Sequence, residues 1–232
     1  MMIVYEDDYI LIANKPNDVL IHHSYMARNM ASEATLLSLL KSQFNHENIY
    51  PVHRLDRKTS GLVIFAKKKE YITPFQTLFE ANKIKKEYYA LVRGHLNDTG
   101  MIDTPVKGRD AKVYKDALTN YHTINRFTIN VAVGPYEESR YSVVLLTPET
   151  GRLHQLRIHM NKISHPIICD PKYGDRFHNK MFNTQYNIQS LFLHAASLTF
   201  LHPILNTELT VKAKFPTHWQ LLSEKFNVSL DI

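Results

Sequence analysis

His53-Arg54-Leu55-Asp56-Arg57 sets one carboxylate among three potential cations, and Thr59-Ser60-Gly61 then turns the chain into the apolar run Leu62-Val63-Ile64-Phe65-Ala66. An acid is thus held at the edge of a core. Neighbouring guanidinium groups favour an ionised carboxylate, which can act as a nucleophile or a base. A structural ion-pair network would use the same residues.

Arg157 lies in Gly151-Arg152-Leu153-His154-Gln155-Leu156-Arg157, on the border of the apolar stripe of its expected helix. A fixed carboxylate would satisfy it bidentately, and Asp56 is the candidate. Its stem could instead carry the charge out to water. Tyr88 follows the basic Lys83-Ile84-Lys85-Lys86. A ring beside positive charge suits stacking on an extruded base, although most strand tyrosines simply pack. Leu193, in Leu191-Phe192-Leu193-His194-Ala195, reads by itself as core.

Thirteen histidines invite a metal, but His154 and His159 are five residues apart and share no helix face, and Cys169 is the single cysteine. Neither G-x-x-x-x-G-K-[ST] nor G-x-G-x-x-G occurs. No metal and no nucleotide cofactor is expected. The residues alone leave open a hydrolase pairing Asp56 with His53 as acid and base, and a non-catalytic RNA-binding or RNA-folding protein.

Several elements must position these groups. Ile3–Tyr5 and Tyr9–Ala13 read as a strand pair, residues 32–44 as a helix that Ser32 could cap, and Leu62–Ala66 as a buried strand. Tyr71, Phe75, Leu78 and Phe79 fall at helical spacing, and Glu87–Val92 alternates as a strand. Residues 97–116, with Lys107, Arg109, Lys112 and Lys115, read as an exposed loop or hairpin. Arg140–Leu146 is a further strand and Leu153–Ile163 a helix. An Asn- and Gln-rich loop follows, then strands near Ser197–Leu201 and Glu208–Lys214, and a last helix that Thr217 could cap. Strands outnumber helices without regular alternation, which favours an α+β fold with a mainly antiparallel mixed sheet and flanking helices.

The chain has 232 residues, 44% hydrophobic and 22% charged, consistent with one catalytic domain over 1–232. A lone cysteine forms no internal disulfide, and the acidic opening MMIVYEDDYI does not resemble a signal peptide, so a cytoplasmic protein is expected. No apolar run nears the roughly 18 residues of a spanning helix, so no membrane association is expected. A formal net charge of +6 suits a polyanionic partner. A monomer is the default.

Together HRLDRKTSGLVIFAK, KKEYYALVRG, ETGRLHQLRIHM, HPIICDPKYGD and LFLHAASLTFLHP resemble the successive motifs of the RluA family of pseudouridine synthases. The resemblance runs from the opening strands to about Lys214 and implies the synthase fold without an S4 domain. It implies Asp56 as the essential carboxylate, Arg54 as the residue that helps displace the target base, and Tyr88 as the ring packing on it. Arg157 would hold Asp56, and Leu193 would form part of the pocket floor. IHHSYMARN, GPYEESRYSVVLLTPETGR and YGDRFHN are most similar to members acting on tRNA, at uridine 65 of the T-stem. Two departures stand out: Pro16-Asn17-Asp18 where a glycine commonly follows the lysine-proline pair, and Cys169 in place of the usual glycine before Asp170.

Overall fold

The computed structural model describes residues 2–22, 34–44, 48–107 and 113–230. In chain order these form β1 (Ile3–Glu6), β2 (Ile10–Lys15), α1 (Leu36–Phe44), β3 (Tyr50–Pro51), β4 (Ser60–Ala66), α2 (Ile72–Glu80) and β5 (Lys85–Arg93). There follow β6 (Thr99–Asp103), β7 (Leu118–Ile129), β8 (Ser139–Pro148), α3 (Gln155–Lys162), α4 (Arg176–Tyr186), β9 (Leu193–Leu201), β10 (Glu208–Lys212) and α5 (Thr217–Phe226). The fold is α+β. The chain divides into two compact units, Met1–Lys85 with Ala195–Lys214, and Lys86–His194 with Phe215–Ile232.

In the first unit the strand order is β1-β2-β4-β9, with β3 beside β4 and β10 antiparallel to β9. β1 and β2 form the expected hairpin, closed where Asp7 Oδ1 accepts the N–H groups of Tyr9 and Ile10, each at 2.8 Å. Every residue of β4 is buried, which is why its sequence is a continuous apolar run rather than an alternation. Gly61, its second residue, has φ +115°, and a Cβ there would collide with the backbone of Ala195, so both conformation and contact require glycine. Ile12, Leu62, Ile64, Phe75 of α2, Leu198 and Val211 build the core. The proposed cap Ser32 lies outside the described residues. Thr35 and Ser38 instead form a reciprocal capping box on α1, Thr35 Oγ1 accepting from Ser38 N–H (3.1 Å) and Ser38 Oγ from Thr35 N–H (2.8 Å).

In the second unit the order is β5-β8-β7-β6, with all three of these pairings antiparallel. Leu91, Tyr141, Val143, Phe182, Phe192 and Trp219 lie in its core. Three sequence expectations change here. Residues 117–139 suggested no element, yet β7 is the longest strand: its inward positions include Thr119 and Thr123, whose hydroxyls hid the apolar alternation. Residues 97–116 take the hairpin form of the two that were expected, β6 pairing antiparallel with β7 and Val106 bridging Lys115, while Arg109 and Lys112 lie outside the described residues. The Asn- and Gln-rich loop is largely α4, which buries His178, Met181 and Phe182 at helical spacing and is capped by Asp175. Thr217 is the first residue of α5 rather than its cap, which is Pro216.

Candidate active site

In the first unit the Asp56 loop begins where β3 leaves β4. Arg54 is exposed, Leu55 is buried, Asp56 is half-buried, and Thr59 N–H returns to Asp56 O at 3.1 Å as the chain enters β4. Arg54 and Asp56 therefore share one short, tightly tied loop. Beneath it, the fully buried Lys15 at the end of β2 donates from Nζ to Pro16 O (2.8 Å), Val19 O (2.9 Å) and Arg57 O (2.9 Å). Three such bonds require the ammonium form. Burial pulls its pKa down to about 7, against the upward pull of Asp18 and Asp56 and with a downward push from Arg57.

A second set of bonds ties the same loop to residues 17–18. Arg57 Nε donates to Asp18 O (2.9 Å), Lys58 Nζ meets Asp18 Oδ1 (2.6 Å), and Asn17 Nδ2 donates to Lys58 O (2.6 Å). Asp18 has φ +64°, a left-handed conformation that aspartate tolerates. The first departure from the family pattern thus keeps a glycine-like backbone and adds side-chain anchors for the Asp56 loop.

In the second unit α3 carries Arg157, buried at 5% exposure. Its Nε and Nη2 grip Asp170 Oδ2 and Oδ1 at 2.7 and 2.8 Å, and its guanidinium lies 5.2 Å from the Tyr173 ring centre. Asp170 Oδ1 also accepts the N–H groups of Lys172 (2.9 Å) and Tyr173 (3.0 Å), and its carbonyl accepts from Asn179 Nδ2 (2.8 Å). Burial alone would raise the Asp170 carboxyl. The bonds and charge of Arg157, with the two backbone N–H groups, hold it below its ordinary value. Sequence reasoning passed over Asp170, although an Asp-Pro step closing an apolar run is a turn signal. Cys169, the second departure, has φ +59°, and burial pushes its thiol up to about 12.

Tyr88 is half-buried on β5, opposite Leu146 of β8, and packs on the unit's core. Lys86, two residues before it, is buried, while Lys83 and Lys85 are exposed. Leu193 is buried in the same core at the start of β9. Among the described residues no cluster of His, Cys, Asp or Glu could hold a metal ion.

Residues 9–162 match the family model described as RNA pseudouridylate synthase. The chain belongs to this family, in its RluA branch. It is 36% identical over 233 residues to a Haemophilus ducreyi protein named tRNA pseudouridine synthase C, covering 97% of this chain and 95% of that one. A Vibrio parahaemolyticus protein of the same name is 34% identical over 234 residues, covering 97% and 94%. The fold is that of Human RNA Pseudouridylate Synthase Domain Containing 4, with a TM-score of 0.71 at 23% identity over 98% of this chain and 94% of that one. The protein is thus an RNA pseudouridine synthase, an isomerase with an RNA substrate.

Proposed function

We propose that this synthase converts one tRNA uridine, uridine 65 of the T-stem, to pseudouridine. Supporting this choice of RNA is the similarity, along nearly the whole chain, to relatives named tRNA pseudouridine synthase C. Asp56 is the catalytic carboxylate on this reading, and Arg54 fills the space left as the uridine flips out. Tyr88 packs against the base, Arg157 holds Asp56, and Leu193 forms part of the pocket floor. The uracil leaves its ribose carbon through nitrogen, turns, and rejoins through carbon. The base loses the proton from that carbon and gains one on the freed nitrogen, so the atoms balance without a redox partner or a cofactor.

Both units serve one catalytic domain in this proposal, and the enzyme acts as a monomer in the cytoplasm. Among the described residues no helix is long and apolar enough to cross a membrane. Recognition of a paired stem rests on shape and backbone contacts, because a base-paired uridine presents few edges to read. Pseudouridine mapping of total RNA from wild-type, deletion and Asp56→Asn cells tests the assignment. A single tRNA site lost in both mutants and restored by purified wild-type protein is the expected outcome. Loss at a ribosomal site would overturn the choice of RNA.

A further inference from the structure

At the root of the Asp56 loop a side chain takes the place of a backbone carbonyl. β3 and β4 pair at Tyr50↔Ala66 and Pro51↔Phe65, so the next rung, Val52 opposite Ile64, should exchange two main-chain bonds. One is made, from Val52 N–H to Ile64 O at 3.0 Å. The other is diverted: Ile64 N–H donates to His53 Nε2 at 3.0 Å.

A backbone N–H can only donate, so Nε2 presents its lone pair and the neutral ring carries its proton on Nδ1. The ring stacks on Phe79 of α2, with centres 4.2 Å apart and planes at 29°, which fixes its direction. Ile64 is fully buried, so its N–H must find an acceptor inside the fold. With the imidazole supplying that acceptor, the main chain can leave β4 after Val52, four residues before Asp56, without stranding a donor. His53 Nε2 is thereby committed to the backbone, which argues against the acid–base role that the sequence left open for it.

We propose that His53 is a positioning residue for the isomerisation: it latches the chain to β4 and so fixes where the Asp56 carboxylate stands. The inference rests on the reading of Asp56 as the catalytic group. His53→Phe keeps a ring on Phe79 but removes the acceptor. His53→Gln replaces the nitrogen with an amide oxygen of similar reach that cannot titrate, and His53→Asn places that oxygen too close to the main chain to reach Ile64.

The experiment measures single-turnover pseudouridine formation on an unmodified transcript that the wild-type protein converts, alongside RNA affinity and thermal melting. His53→Phe and His53→Asn are expected to slow the chemical step roughly 10- to 100-fold with RNA affinity unchanged, because small displacements of a reacting group cost that much. His53→Gln should recover most of the rate. A fully active His53→Phe, or equal slowing by Gln and Asn, overturns the latch. If His53→Phe fails to fold, the contrast between Gln and Asn decides the question alone. Asp56→Asn is run beside them: activity there overturns the catalytic reading and the latch with it, whereas an inert Asp56→Asn beside a fully active His53→Phe overturns only the latch.

Discussion

The Asp56 loop and the Arg157–Asp170 turn solve the same problem, fixing a charged group, by opposite means. Asp56 is half-buried, and the bonds that shape its loop run mainly to main-chain atoms: Lys15 to three carbonyls, Arg57 to Asp18 O and the His53 ring to Ile64 N–H. Arg157 is instead fixed by a second charge, in a bidentate pair almost wholly removed from water. The first arrangement fixes the main chain that carries a half-buried aspartate. The second sets how a guanidinium is turned and depends on both charges being present.

Asp170→Asn breaks this comparison hardest. Neutralising one member of this buried bidentate pair is expected to cost about 3–5 kcal/mol in stability by urea denaturation. The same variant sharpens the pH dependence. The Asp170 carboxyl is held below its ordinary value of 3.8, so its contribution is complete above that value and is lost as the pH falls through the lower folded value. Asp170→Asn should flatten that part of the acid limb of a stability–pH curve.

Lys15→Met tests the other region. It strands the carbonyls of Pro16, Val19 and Arg57, with an expected cost of about 2 kcal/mol because a surface-near loop can rehydrate some of them. Slower turnover at unchanged RNA affinity should accompany that loss. The smallest effect belongs to Asp175→Ala, which removes the acceptor for the Phe177 and His178 N–H groups at the start of α4 and the partly exposed ion-pair partner of Arg93, a pair of small net worth. A loss of about 1 kcal/mol in thermal or urea melting is expected, with no change in the rate of isomerisation.

What the sequence made legible follows from the kind of bond involved. The buried strand β4, the hairpin of β1 and β2 and the acid at a core edge were readable because apolar runs and turn residues are local signals. β7 was not, because Thr119 and Thr123 occupy inward positions and their hydroxyls find partners only in the folded chain: Thr119 receives a bond from Gln155 Nε2, and Thr123 donates to Asn97 O. α4 was obscured by asparagine and glutamine on its outer face, with the inward His178, Met181 and Phe182 too few to dominate. Lys15, His53 and Asp170 share one cause of concealment. Each acts on partners that its own residue type does not announce: carbonyls, a backbone N–H, and an arginine 13 residues away.

The most direct measurement is pseudouridine formation by purified wild-type and Asp56→Asn protein on one unmodified tRNA transcript, with no cofactor added. Wild-type protein should convert one uridine per transcript, while Asp56→Asn should bind the RNA and melt as wild type does yet form no product. Product at the wild-type rate from Asp56→Asn would contradict the account.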